Sequence, residues 1–365
     1  MHKLSICIPT FNRYQHLVNC LNSIILNTNY REEDVQICVS DNCSTDETES
    51  VVHNAQEKID IVYKKNKSNI GMARNFLEVV NMADGEYVWI IGDDDLLMPT
   101  ALENLLKIID QNIDVDLFYI NEFDLTAEYV LSRPQPFDTT DLPNDMKRKS
   151  LWRQDGKMDF FDLISPKISG DFLNGISLSV FRRKGWVENA GALDSNALHD
   201  KRVFSNFDNT YPHIKIFAKA FANSKAYFYS NPLSICLHGA REWAPMYSYI
   251  RSVRLVNGVE EYRKNGLPYL DYIRYKNRAL RVFIPDMIYM FIYKEDSGYE
   301  YIKPFRLLLS NCLYPEFYLS LFLFPFRFPI MKYIIRRIKT GKFYQKYNGF
   351  NLKNRLYKSI EVFFV

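Results

Sequence analysis

Apolar positions in the first third of the chain follow two alternating rhythms. Leu4-Ser5-Ile6-Cys7-Ile8 is a short buried-strand pattern, and Asn12 then caps a segment with apolar residues at 17, 18, 21, 24 and 25, the spacing of one helix face. The pair recurs with Val35 to Val39, followed by a helix whose Ser44-Thr45-Asp46-Glu47 start has the S-x-x-E form of a capping box. A third round is Ile59 to Tyr63 and a helix from about Met72 to Met82. The fourth strand ends at Ile91, and Pro99 opens a helix with apolar positions 102, 105, 106 and 109. This alternation predicts an α/β fold, a mostly parallel sheet with helices on both faces.

In such sheets ligands bind beyond the carboxyl ends of the strands, so the polar residues after each strand are the site candidates. Strand one delivers Pro9-Thr10-Phe11-Asn12-Arg13, strand two delivers Asp41-Asn42, and strand four delivers Gly92 and the three acids Asp93-Asp94-Asp95. Carboxylates crowded in this way repel one another unless a cation sits among them, so the run reads as a divalent-metal site. With Arg74 and Asn75 at the start of the third helix, one rim combines acids for a metal with groups suited to phosphate or ribose. A metal-bound diphosphate fits it. Neither G-x-G-x-x-G after strand one nor G-x-x-x-x-G-K-[ST] occurs, which excludes dehydrogenase and P-loop readings.

Four ordered segments carry a resemblance: Ile6 to Arg13, Val39 to Asp46, Asn69-Ile70-Gly71-Met72-Ala73-Arg74-Asn75, and Gly92 to Asp95. Together they resemble family 2 glycosyltransferases of the GT-A (Rossmann-like) fold, and the Gly-Asp-Asp-Asp form resembles the abequosyltransferase branch of bacterial O-antigen synthesis. The resemblance implies that Pro9, Thr10, Asn12 and Arg13 line a nucleotide pocket, that Asp41 accepts a hydrogen bond from the base, and that Arg74 approaches the diphosphate. It also implies a Mn²⁺ or Mg²⁺ cofactor on Asp94 or Asp95, with Asp93 nearer the ribose. The spelling departs from the commoner D-x-D-D, with Gly92 where the first aspartate usually stands.

Such enzymes displace a nucleoside diphosphate from the anomeric carbon, and a base deprotonates the acceptor hydroxyl. The family's base is an acid within a Glu-Asp pair about a hundred residues past the metal motif, and no Glu-Asp stands there in this chain. The register set by Pro232-Leu233 and His238-Gly239 puts His213 in its place, with Asp208 as the alternative. Imidazole, with an ordinary pKa near ~6.5, is a competent base. His238 is a candidate third metal ligand beside Asp94 and Asp95. The missing Glu-Asp leaves a second reading open, an inactive relative that binds glycan or nucleotide without turnover.

The expected domains are a transferase domain over 1–245, with its donor half at about 1–120 and its acceptor half at about 150–245, and a helical region over 246–365. Between Asp124 and Ser150 the periodicity dissolves into a polar, proline-bearing stretch, expected to be a mobile loop or insertion. The six cysteines form no CxxC pair, which removes zinc-ribbon and redox readings and suits a reducing interior. The apolar N-terminal run is broken by Pro9, too short for a signal peptide.

Charge is unevenly spread: residues 251–365 hold 21 Lys and Arg against 9 Asp and Glu, while the whole chain nets only +3. Phe317 to Phe326 is too short to span a bilayer, and with Lys332, Arg336, Arg337, Lys339 and Lys342 it reads as an interfacial element facing anionic lipid. Nucleic acid is not expected as a partner, because the acidic front would repel it. The expected partners are a nucleotide-sugar, a lipid-linked glycan acceptor and an anionic membrane surface, at the cytoplasmic face of the cell membrane.

Overall fold

A computed structural model of the chain describes residues 1–170 and 172–327. Ten strands form one mixed sheet: β1 Leu4–Thr10, β2 Val35–Asp41, β3 Ile61–Lys65, β4 Tyr87–Ile90, β5 Leu96–Leu97, β6 Leu117–Thr126, β7 Lys147–Arg148, β8 Gly156–Asp159, β9 Ser179–Arg182 and β10 Lys225–His238. Helices α1 Tyr14–Ile25, α2 Thr48–Gln56, α3 Met72–Met82 and α4 Ala101–Gln111 are interleaved with the first strands. They are followed by α5 Ala127–Leu131, α6 Phe160–Leu163, α7 Arg183–Asn189, α8 Ser195–His199, α9 Phe207–Thr210 and α10 Pro212–Ala220. The predicted α/β alternation is therefore present, and the third helix starts and ends where its spacing placed it.

The main path through the sheet runs β3-β2-β1-β4-β9-β6-β10-β5. β1 pairs in parallel with both β2 and β4, while β9 is antiparallel to β4 and to β6, and β10 runs parallel to β6. β6 and β10 therefore point the same way as β1, β2 and β4, and all five carboxyl ends open on one rim. The order reverses between β1 and β4, which makes the crevice between their ends the expected ligand position. Leu4, Ile6 and Ile8 of β1, Trp89 of β4 and Leu102, Leu105 and Ile109 of α4 share one buried cluster, and burial of this apolar area holds the helices to the sheet.

Two predicted caps are used differently. Asn12 does not cap α1; it sits at φ 53°, its side chain accepts from the Thr45 amide at 2.8 Å, and its own amide donates to Ser44 Oγ at 2.8 Å. α2 begins at Thr48, whose amide donates to Asp46 rather than to Ser44. β1 and β2 are in-register neighbours, so the loops leaving them lie side by side and their short polar side chains bond across instead of along the chain.

The stretch after Asp124 is also more structured than its composition predicts. β6 continues to Thr126 and leads directly into α5, while β7 pairs with β6. Phe137 is buried in a cluster with Val130, Ile235 and Leu237, and Asn19 of α1 exchanges hydrogen bonds with Gln135 and the Phe137 amide.

The chain divides into two compact units, Met1–Ala240 with Glu261–Leu267, and Arg241–Glu260 with Pro268–Val365. The second unit is helical where described, with α11 Tyr247–Tyr249 running through a π-helical turn at Ile250–Arg254 into α12 Leu255–Lys264, whose residues from Glu261 on belong to the first unit, then α13 Tyr269–Ala279, α14 Phe283–Ile292, α15 Pro304–Asn311 and α16 Pro315–Arg327. Its core includes Asp286, a buried carboxylate held by Arg251 at 2.5 and 3.0 Å and by Ser252. No described helix is long and apolar enough to cross a membrane. Lys332, Arg336, Arg337, Lys339 and Lys342, expected at an anionic surface, lie outside the described residues.

Candidate active site

Strand register builds the rim. Thr10 pairs with Asp41 across β1 and β2, and Cys7 pairs with Ile90 across β1 and β4, so three residues further on Thr10 stands level with Asp93. Thr10 Oγ1 donates to Asp93 Oδ2 at 2.8 Å. Arg13, in the turn before α1, reaches back across the crevice. Its Nε lies 2.8 Å from Asp93 Oδ1 and its Nη2 2.9 Å from Asp94 Oδ2. The cation that the crowded acids required is thus present within the chain, as a guanidinium fitted to two carboxylates at once. Burial pushes the Asp93 carboxyl up to about 7; Arg13 pulls against this and the neighbouring Asp94 adds to it.

Gly92 has a reason to be glycine. A Cβ there would stand 2.7 Å from Asp94 Oδ1 and 3.0 Å from Asp95 Oδ2, because both carboxylates fold back over it, and Asp95 Oδ2 also accepts the Gly92 amide at 2.8 Å. A side chain at 92 would require both carboxylates to shift. Asp94 and Asp95 both fold against Gly92, and hard carboxylate oxygens are what Mg²⁺ or Mn²⁺ takes from a protein when phosphates and water complete the shell. No three His, Cys, Asp or Glu side chains gather as a metal site among the described residues. His238, expected as the third ligand, is turned to another partner, with Nε2 2.7 Å from Asp124 Oδ1.

That pair belongs to a second charged group on the same rim. Lys149 Nζ lies 3.2 Å from Asp124 Oδ1 and 3.9 Å from Glu122 Oε1, and Ser177 Oγ donates to Glu122 Oε2 at 3.2 Å. Burial raises the Asp124 carboxyl, but His238 and Lys149 outweigh it and hold the group below its ordinary range. Glu122 and Asp124 were not singled out from the sequence. The strand-end rule that found Asp41 and Asp93 applies to them equally, but the sequence reading has no strand at 117–126.

Asp41 is fully buried, accepting from the Ser44 amide at 2.7 Å and from the Tyr63 hydroxyl at 2.9 Å. Beside it, Asn42 Oδ1 receives the Ile70 amide at 2.8 Å, and Asn75 exchanges hydrogen bonds with Ser40. These bonds hold the Asn69-Ile70-Gly71 turn against β2, and Gly71 enters α3 at φ 89°, ψ 153°, a conformation essentially reserved for glycine. The turn sets the height of Arg74, which is half-buried on the first turn of α3. Pro9 is half-buried and Asn12 exposed at the crevice mouth.

The two expected bases are bonded to other groups. His213 is 3% exposed on α10, its ring edge-on to Tyr211 and Phe217 and its Nε2 3.1 Å from the Leu173 carbonyl. Burial lowers its pKa to about 4, against the raising effect of the Leu173 and Asn174 carbonyls. Asp208 on α9 accepts from the Asp194 amide at 2.6 Å and pairs with Lys215 at 2.9 Å.

The doubly covered sheet, its switch-point crevice and the acidic run at the end of β4 define a GT-A glycosyltransferase fold. The chain carries a glycosyl transferase family 2 domain, whose family model matches residues 5–162. It is 30% identical over 241 residues to the abequosyltransferase RfbV of Salmonella typhimurium, covering 64% of this chain and 66% of that protein. It is also 30% identical over 190 residues to the GalNAc(5)-diNAcBac-PP-undecaprenol β-1,3-glucosyltransferase of Campylobacter jejuni, covering 52% and 56%. The chain thus spans just under two thirds of the first relative and little over half of the second. Among solved structures it is similar in fold to residues 1–349 of S. aureus TarS in complex with UDP-GlcNAc, with a TM-score of 0.52, 14% identity, and coverage of 94% of this chain and 93% of that one. A second is the mannosyltransferase PcManGT from Pyrobaculum calidifontis in complex with GDP-Man and Mn²⁺, with a TM-score of 0.50, 15% identity, and coverage of 94% and 88%.

Proposed function

We propose that the chain transfers a sugar from a nucleotide-sugar donor to a hydroxyl of a lipid-linked glycan, with inversion at the anomeric carbon and with Mn²⁺ or Mg²⁺, during synthesis of a bacterial O-antigen or capsule-type polysaccharide at the inner face of the cell membrane. The observation that carries this reading is the crevice between β1 and β4, where Thr10, Arg13 and Asp93 to Asp95 form one bonded cluster. The named relatives, an abequosyltransferase and an undecaprenol-linked glucosyltransferase, support the reaction class and the kind of acceptor.

Pro9, Thr10, Asn12 and Asp41 border the nucleoside, with Asp41 held rigid by Tyr63 and Ser44 to accept from the base. Arg74 faces the diphosphate, where a guanidinium adds charge-assisted bonds. Asp94 and Asp95 hold the cation, which when bound acts as a Lewis acid on the leaving diphosphate. Asp93 stays with Arg13 and Thr10, nearer the ribose. Between the two candidate bases we assign the proton to Asp208. A proton accepted by His213 would leave an imidazolium in an aromatic pocket without a carboxylate, a costly burial, whereas the Asp208 side chain has Lys215 Nζ beside it at 2.9 Å.

Calorimetry with UDP, GDP and CDP, with and without Mn²⁺, tests the donor site; Asp94→Ala and Asp95→Ala are expected to remove metal-dependent binding, and unchanged affinity in both removes the metal reading. Asp208→Asn is expected to bind nucleotide normally and lose transfer. The engagement of both Asp208 and His213 with protein groups favours a second reading, a nucleotide- or glycan-binding relative without turnover. Normal nucleotide affinity with no sugar released from any donor would select it.

A further inference from the structure

The sheet face that carries the core turns polar where its strands end. Side chains alternate between faces along a strand, and Ile6 and Ile8 of β1, Ile37 and Val39 of β2, and Phe118 and Ile120 of β6 share one buried cluster. Two residues further along the same face stand Thr10, Asp41 and Glu122, and then Asp124. Thr10 and Asp41 border the crevice between β1 and β4, and Glu122 and Asp124 continue the polar row beyond it.

The Glu122 and Asp124 side chains are only 3% and 8% exposed, and charge at that depth persists only with partners. Ser177 donates to Glu122, while Lys149 and His238 Nε2 stand 3.2 and 2.7 Å from Asp124. The arrangement is fixed from behind. Asn121, fully buried, donates to the Ser150 and Ser230 carbonyls and accepts from the Ser150 and Glu122 amides, and the Lys149 amide donates to the Glu122 carbonyl at 2.9 Å. These bonds hold Lys149 beside β6.

Ser234 is a separate sign of a ligand. It is the in-register partner of Glu122 on β10, so its side chain projects to the same face, and it is fully buried with no hydrogen-bond partner for Oγ among the described residues. A buried hydroxyl left unpaired is an exception in a native fold. The chemistry of the group names the ligand class. A sugar hydroxyl both donates and accepts, and here carboxylate acceptors stand among the N–H donors of Lys149 and His238 and serine hydroxyls that do either. A metal site would not set a lysine beside its carboxylates.

Position favours the donor's own sugar. β6 lies two strands from β4 by way of β9, roughly 10 Å, and Leu96, next to Asp95, pairs with Ile235 three residues before His238. A sugar attached to a diphosphate held at Asp94 and Asp95 meets this group next. We propose that Glu122, Asp124, Lys149, Ser177, Ser234 and His238 form a subsite for the hydroxyls of a pyranose ring, and that Glu122 and Asp124 decide which sugar is accepted. The choice of the donor's sugar as occupant rests on the nucleotide-sugar reading above.

The test compares, by calorimetry with Mn²⁺, the affinity of UDP with those of UDP-glucose, UDP-galactose and UDP-GlcNAc, and that of GDP with GDP-mannose, with thermal melts on every variant. In Glu122→Gln and Asp124→Asn, affinity for the nucleotide-sugar that wild type prefers is expected to fall about tenfold or more, with affinity for the bare diphosphate unchanged. Lys149→Met, at a partly exposed side chain, supplies the same readout should a carboxylate variant fail to fold. A second arm follows saturation transfer by NMR to methyl glycosides of glucose, galactose and mannose with UDP and Mn²⁺ present. Loss of that signal in the variants, with donor affinities unchanged, assigns the subsite to the acceptor's ring. Variants that match wild type in both arms overturn the proposal, as does a wild type that neither discriminates among sugars nor binds a glycoside. A wild type that binds the glycosides but no nucleotide would instead remove the donor site and leave the subsite standing.

Discussion

Replacing Arg13 with methionine removes the clamp on the acidic run while keeping most of the side chain's bulk. Arg13 stands 2.8 Å from Asp93 and 2.9 Å from Asp94, with the three side chains 17%, 8% and 9% exposed. Breaking a buried ion pair from one side costs about 3–5 kcal/mol when the stranded charge stays ionised. Asp93 need not stay ionised. Its folded pKa is already raised to about 7 by burial, with Arg13 acting to lower it, so without Arg13 it moves higher still. Because this folded pKa lies above the unfolded one, the folded chain holds a proton that the unfolded chain has released, and stability falls as pH rises through that window. In wild type the fall ends near pH 7; in the variant it continues beyond. The cost of Arg13→Met should therefore grow with pH, from about 1–2 kcal/mol near pH 6 to about 3–5 kcal/mol above pH 8, at most ~1.4 kcal/mol per pH unit. Urea unfolding in chelator, followed through the buried Trp89 and Trp186 of the same unit, measures it. A cost that does not change between about pH 6 and pH 8 would show that Arg13 does not control Asp93, and the argument for an internal cation would fail.

Gly92→Ala is expected to displace the Asp94 and Asp95 carboxylates, abolishing the Mn²⁺-dependent nucleotide shift while the variant remains folded; a retained shift would show that the carboxylates tolerate a Cβ. Gly71→Ala forces alanine to φ 89° and should lower stability by about 1–3 kcal/mol, read as a lower Tm, together with weaker binding of the diphosphate if α3 shifts with Arg74. His213→Phe keeps the packing with Tyr211 and Phe217 but leaves the Leu173 carbonyl unpaired, at a cost of about 1–3 kcal/mol. Folded His213 stays neutral down to about pH 4 while the unfolded side chain takes a proton near ~6.5. Wild type should therefore lose stability as pH falls from ~6.5 toward 4, and the phenylalanine variant should lack that component in thermal melts. The same variant should keep turnover, and complete loss of transfer with normal nucleotide affinity would return the base role to His213.

The alternation of strands and helices, and with it the fold class, was legible because strand and helix periods are local properties of the chain. So were the strand-end positions of Thr10, Arg13, Asp41 and Asp93 to Asp95, since a buried strand that stops must hand its next polar residues to the rim. Pairing across the sheet was not legible in the same way. Asn12 and Ser44 carry cap chemistry and bond to each other's loops because β1 and β2 are neighbours. Glu122 and Asp124 were missed because the strand that holds them, β6, continues past its apolar run by pairing with β10, whose register brings His238 to Asp124. His238, with a metal ligand's chemistry and position along the chain, turns to Asp124 instead.

The acid triplet draws the division most sharply. The sequence alone determined that three adjoining carboxylates at the end of a buried strand need a positive charge, because that repulsion is set by residue spacing. Only the tertiary structure decided that Arg13 supplies it within the chain and that Asp94 and Asp95 turn back over Gly92. It did so by placing the end of β1 level with the end of β4, a contact between residues some eighty positions apart that no local pattern records.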